Sequence, residues 1–225
     1  MGLEGRVALI TGAGGGIGNA VAQVFYARVS REDRLDVAVT TSAVYRSLVA
    51  LGAWPMVLLA VGGQQLFAFV FGEAWAEAGT YAQWLAPWLL LVFVTSPLST
   101  LVFVRERQGA ELIFQIILLV VRTASLVAGW AIGSATVAIA LFGIASAASW
   151  GPYMLWLLRL GGVNVREAVW WLVRDIAVGL IVCTPLLLLG LAGVEGLSWA
   201  IVATATLAVM LLRARHVIGA LRYGI

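Results

Sequence analysis

Arg122 is the residue least in keeping with its surroundings. It stands near the middle of Leu112 to Ile132, an apolar run with no other charge, and an arginine at the centre of a bilayer helix costs about 2.5–3.5 kcal/mol to insert. Gln115, Arg122, Ser125 and Gly129 follow one another at intervals of seven, three and four residues. That spacing puts them on one helix face, as a polar stripe turned toward protein or a wet cavity. A guanidinium in such a stripe is suited to an anionic group such as a pyrophosphate, which it binds through paired hydrogen bonds. The other role open to it is structural, as an ion pair or a contact with a carbonyl of a neighbouring helix.

Further polar positions lie in the other apolar runs. Thr95-Ser-Pro-Leu-Ser-Thr100 sets Pro97 inside a span; proline removes a backbone donor and frees a carbonyl one turn earlier, so Pro97 is a candidate hinge or a plain bend. Ser146, Ser149 and Tyr153 form a same-face set suited to interhelix hydrogen bonding, and Arg174 with Asp175, beside Trp170 and Trp171, suits an interfacial anchor or a local pair. Trp75, Trp84, Trp88, Trp170, Trp171 and Trp199 fall near expected span ends, where indole rings sit at headgroup level.

Side chains that carry covalent or metal chemistry are scarce. One histidine, His216, and one cysteine, Cys183, leave no basis for a zinc site, an intrachain disulfide or a Ser/His/Asp triad, so no catalytic residue and no metal ligand is expected. All 14 basic residues are arginine and the net charge is +3. So mild and dispersed a balance does not make a nucleic-acid surface.

The N-terminus is a separate question. Val7 to Ile10 followed by Thr11, Gly12, Gly16 and Gly18 resembles the Thr-Gly-x-x-x-Gly-x-Gly opening of the short-chain dehydrogenases. There, Gly12, Gly16 and Gly18 would let the backbone approach a dinucleotide pyrophosphate. The match covers only residues 1–18. Without lysine the family's Tyr-x-x-x-Lys pair cannot form, and no further βα unit precedes the apolar runs. The same stretch also reads as a span, since Val7 to Ala27 holds 21 residues without a charge. A glycine-rich strand-turn stub and a closely packed membrane helix both remain open.

These residues need elements to hold them, and the chain is oily enough to specify which. Of 225 residues 62% are hydrophobic and 11% charged, with mean hydropathy +1.01, whereas soluble domains carry about 25% charged residues. Apolar runs occur near residues 47–71, 80–104, 112–132, 133–158, 168–193 and 197–212, each close to the length that crosses a bilayer as a helix. The expected fold is an all-α polytopic membrane bundle of six or seven transmembrane helices. In sequence order it comprises a stub at 1–18, a helix and charged connector at 19–46, the bundle at 47–215 and a tail at 216–225. Alternating the connectors puts Arg28, Arg31, Arg34, Arg46, Arg105, Arg107, Arg159, Arg166, Arg213, Arg215 and Arg222 on one side and none on the other. That asymmetry marks the arginine side, with the C-terminus, as cytoplasmic.

From Gly18 onward the chain resembles the C-terminal part of the polysaccharide (O-antigen type) flippases of the multidrug/oligosaccharidyl-lipid/polysaccharide exporter superfamily. The resemblance rests on Leu66-Phe-Ala-Phe-Val-Phe-Gly-Glu-Ala-Trp-Ala-Glu-Ala-Gly79, Tyr81-Ala-Gln-Trp-Leu-Ala-Pro-Trp88, Ser96-Pro-Leu-Ser99 and Arg105-Glu-Arg-Gln108. It implies alternating-access movement of a lipid-linked saccharide across a bacterial inner membrane, with no cofactor. Arg122, Gln115 and Ser125 would meet the substrate, and Pro97 would serve the moving helix. Such families have 12 or 14 spans, so the chain is expected to act as one lobe, completed by an N-terminal lobe or a second copy. Two alternatives stand beside this one: a membrane-tethered NAD(P)-dependent oxidoreductase using Gly12, Gly16 and Gly18, and a polytopic membrane fragment that transports nothing.

Overall fold

A computed structural model describes residues 23, 25–27, 29–30, 34–191, 204–206, 208–209, 212–213 and 215. The glycine-rich stub with Gly12, Gly16 and Gly18, most of the 7–27 run and most of the 197–212 run lie outside the described residues.

The described chain is an all-α membrane helical bundle. Its elements are α1 (Arg34–Phe71), a 3-10 turn (Glu73–Trp75), α2 (Ala76–Leu98), α3 (Thr100–Val104), α4 (Gln108–Ile132), α5 (Ala135–Leu160) and α6 (Val165–Leu191). Lipid offers no partner to a peptide group, so apolar runs of this length fold as helices that satisfy their own backbone. Five stretches among the described residues are long and apolar enough to cross a membrane: Val37–Phe71, Glu73–Val104, Gln108–Ile132, Ala135–Leu160 and Val165–Leu186.

The first helix differs from the sequence expectation. It begins at Arg34 and runs on as 38 residues, where a charged connector was expected up to residue 46. At about 1.5 Å per residue it is far longer than a hydrocarbon core of about 30 Å. Arg46 is accommodated because its guanidinium lies 5.5 Å from the centre of the Trp171 ring on α6, so the charge stays at a polarizable face while the stem remains helical. Near its far end the helix kinks at Gly62, where φ is −123° and ψ 17°. Beside the kink α1 and α2 approach so closely that a Cβ on Gly79 would stand 2.3 Å from the Gly63 carbonyl oxygen.

Proline and hydroxyl groups shape the end of α2. The helix stops at Leu98, one residue past Pro97, and α3 resumes at Thr100. The carbonyls around this break are covered locally: Thr95 Oγ1 donates to Leu91 O at 2.6 Å, Ser99 Oγ to Ser96 O at 2.7 Å and Thr100 Oγ1 to Pro97 O at 2.8 Å. A left-handed Gly133 with φ of 76° ends α4, and the Ser134 side chain caps α5 by accepting from the Val137 N–H. Glycine after a helix and serine before one are the residues these backbone positions favour.

The helices stand in the packing order α6, α1, α2, α5, α4, each lying against the next. The α1–α2 hairpin is central, and its buried residues include Tyr45, Val49, Ala53, Val94 and Leu98, joined by Leu101 of α3 and Leu157 and Leu158 of α5. Tyr45 Oη donates to the Ala168 carbonyl of α6 at 3.2 Å and lies 3.8 Å from Met154 Sδ on α5. One phenol thus ties three helices together near the arginine-bearing end. Cys183, the single thiol, is fully buried on α6. The outermost helix, α4, turns Leu112, Ile116, Leu119, Val120, Val127 and Trp130 outward, the apolar skin that lipid requires.

Candidate functional site

Because α2 and α4 both pack on α5 but not directly on each other, a cleft of about 400 Å³ opens between them. Its walls carry Trp88 and Ser96 of α2, Ser99, Thr100 and Phe103 beside the α2–α3 break, Glu111, Gln115 and Arg122 of α4, and Trp150 and Tyr153 of α5. The α4 side follows from helical periodicity. Glu111, Gln115, Leu118, Arg122, Ser125 and Gly129 recur every three or four residues, and Leu118, Ser125 and Gly129 of that row are buried. Gly129 is needed there, since a Cβ would stand 2.2 Å from Ala138 Cα of α5. Glycine therefore brings α4 and α5 into close contact at the far end, and the cleft opens along the other end of α4.

Arg122 is held by neutral groups. Its Nε donates to Ser146 Oγ of α5 at 3.3 Å, and its guanidinium carbon lies 4.9 Å from the centre of the Trp88 ring and 5.3 Å from that of Phe142. Those rings meet edge to face, 5.4 Å apart. Among the described residues no carboxylate pairs with Arg122 and no hydrogen bond engages its terminal nitrogens. Cation–π contacts of about 0.5–2 kcal/mol each offset part of the cost of an apolar setting without neutralising the charge.

No match emerges from comparison with known protein families, curated proteins and solved structures.

Three turns along α4 from Arg122, toward the arginine-bearing end, lies the second polar group of the cleft. Tyr153 Oη donates to Glu111 Oε2 at 2.5 Å, and Gln115 Nε2 donates to Glu111 Oε1 at 2.7 Å. Tyr153 also stacks on Phe114, with ring centres 4.0 Å apart, and Trp150 meets both rings edge-on. The carboxylate is thereby positioned by a rigid aromatic cluster rather than left on a loose helix end.

Of the residues singled out in the sequence, Gln115 and Arg122 line the cleft. Ser125 does not: it is buried, and its hydroxyl donates to the carbonyl of Arg122 itself at 2.8 Å. Pro97 is buried and does not line the cleft, although its neighbours Ser96 and Ser99 do. Ser146 and Tyr153 prove to be the α5 partners of Arg122 and Glu111, while Ser149 bonds only its own helix, to Ala145 O at 2.9 Å. Trp88 differs from its expected place at a span end, because α2 begins at Ala76 and carries Trp88 into mid-helix under the guanidinium. Glu111 was hidden by its neighbours, since it ends the polar link after Arg105, yet its four-residue spacing from Gln115 was a signal.

A second charged cluster lies on the opposite flank. Asp175 of α6 is 2% exposed; it pairs with Arg213, while Arg174 stands 3.5 Å away. The Arg213 guanidinium also lies 4.0 Å from the centre of the Trp54 ring on α1. The local Arg174–Asp175 pair is therefore present, with Arg213 as the further partner. No group of three His, Cys, Asp or Glu side chains able to hold a metal occurs among the described residues.

Proposed function

We propose that this chain is one helical lobe of a transporter for lipid-linked saccharides, and that its cleft receives the pyrophosphate of the carrier lipid. The observation that carries this reading is the state of Arg122: a guanidinium within a membrane helix, at the wall of a cleft, held by two rings and one hydroxyl and paired with no described carboxylate. A charge so placed gains more from an incoming anion than a paired one does, because the guanidinium's terminal N–H groups, without a partner among the described residues, can form the two-pronged contact that phosphate groups accept. The resemblance of the Leu66 to Gln108 motifs to polysaccharide flippases supports the same reading.

Movement across the bilayer makes and breaks no covalent bond, so the lobe acts by binding and exposure rather than as an enzyme. In this reading the arginine-bearing end faces the cytoplasm of a bacterial cell, at the inner membrane. The carrier's pyrophosphate enters the cleft from that side, a second lobe covers it, and the α2–α3 break at Pro97 to Ser99 flexes as access alternates. The second lobe is supplied by another helical unit or by a second copy.

Binding decides the matter more directly than transport, because transport needs both lobes. The full chain in lipid nanodiscs should bind undecaprenyl-pyrophosphate-linked N-acetylglucosamine saturably, and Arg122→Ala should weaken that binding about tenfold or more, the worth of one lost charge-assisted contact. Equal affinities for the two proteins, at equal monodispersity, overturn the proposal.

A further inference from the structure

The two polar groups of the cleft differ in sign and in hydrogen-bonding character, and that difference specifies more than an anion. At one end stands the cation Arg122. At the other, Glu111 is a carboxylate with no ion pair among the described residues, its oxygens approached only by Tyr153 Oη and Gln115 Nε2. Three hydroxyls of the cleft have already given their protons to the protein: Ser99 Oγ donates to Ser96 O, Thr100 Oγ1 to Pro97 O and Tyr153 Oη to Glu111. The charge at this end of the cleft is therefore negative, with no described cation against it. A carboxylate so placed welcomes the O–H and N–H groups of a neutral or amino sugar and repels a second anion.

Spacing gives the order. Eleven residues separate Glu111 from Arg122, about 16 Å at the rise of an α-helix, which is farther than a pyrophosphate reaches. Arg122 lies toward mid-membrane and Glu111 toward the arginine-bearing mouth. Apolar skin, cation and carboxylate thus follow one another as prenyl chain, pyrophosphate and sugar do in a lipid-linked glycan.

Resting on the transporter reading above, we infer that Glu111 determines specificity for the first sugar: the cleft accepts a lipid pyrophosphate bearing a neutral or amino sugar and discriminates against one bearing an acidic sugar. The test uses the full chain in nanodiscs and three probes: undecaprenyl pyrophosphate alone, its N-acetylglucosamine conjugate and its glucuronic acid conjugate. Wild-type protein should bind the neutral conjugate about tenfold tighter than the acidic one. Glu111→Gln, which can still accept from Tyr153, should abolish that ratio by tightening the acidic conjugate, while changing affinity for the sugar-free lipid less than twofold. Glu111→Asp keeps the charge and should keep the preference.

If wild type binds both conjugates equally, and Arg122→Ala weakens both, the specificity inference falls and the anion site stands. If no probe shows Arg122-dependent binding, the transporter reading falls with it. Should Glu111→Gln fail to fold, the wild-type ratio and its persistence in Glu111→Asp still decide.

Discussion

A guanidinium set over two aromatic faces has its plane and direction fixed, and that geometry separates charge from shape at position 122. Lysine would keep the charge but lose the planar fork and the ring contacts. Arg122→Lys is therefore expected to retain saturable binding of the pyrophosphate probe with affinity about tenfold lower, about the worth of one lost charge-assisted hydrogen bond of the paired contact. A lysine variant that binds as tightly as wild type would show that charge alone suffices. The other buried charge makes a different prediction. Asp175→Asn leaves Arg213 beside Trp54 without its carboxylate, and removing one member of a buried pair costs about 3 kcal/mol; thermal unfolding followed by tryptophan fluorescence should show a clear fall in Tm, partly restored when Arg213→Gln is added. At this scale the sequence showed Arg122 because one charge in a 21-residue apolar run has no other explanation than a protected position. It did not show Trp88, Phe142 or Tyr153 as partners, since those contacts join residues 20 to 42 positions apart and depend on which helices become neighbours.

Among the elements, the helices were legible wherever charge was absent, because an uncharged run of bilayer length in lipid has one backbone solution. They were less legible at charged margins. Arg34, Asp36 and Arg46 suggested a connector, yet α1 starts at Arg34, and Arg46 within it lies against an aromatic face on α6. Glycine positions give the sharpest test of the packing. Gly79 has no room for a side chain against the Gly63 carbonyl, whereas a Cβ at Gly151 meets nothing within 4 Å. Gly79→Val should force α1 from α2 and lower Tm or abolish recovery of monodisperse protein. Gly151→Ala, in the interior of α5, should be neutral or stabilising by up to about 1 kcal/mol, the helix propensity difference. A reversal of that order would mean that the α1–α2 seam is wrongly placed.

For the whole molecule, the alternating connections predict two chemically distinct rims. Arg105, Arg107, Arg159 and Arg166 lie at the ends shared by α3, α4, α5 and α6, while the links at Gly72–Trp75 and Gly133–Ser134 carry no base. In oriented vesicles a membrane-impermeant maleimide should label Asn164→Cys from one side only, and Glu73→Cys and Ser134→Cys from the other. Labelling of all three from the same side would reject the topology. That experiment needs no removal of the native thiol, because Cys183 is fully enclosed in the packed face of α6. The same enclosure makes the unaltered polypeptide its own strain gauge. A dye that brightens on meeting sulfur will stay dark while the bundle is closed and light up when α6 comes away, so the choice of detergent, lipid or ligand can be ranked by how long the darkness lasts.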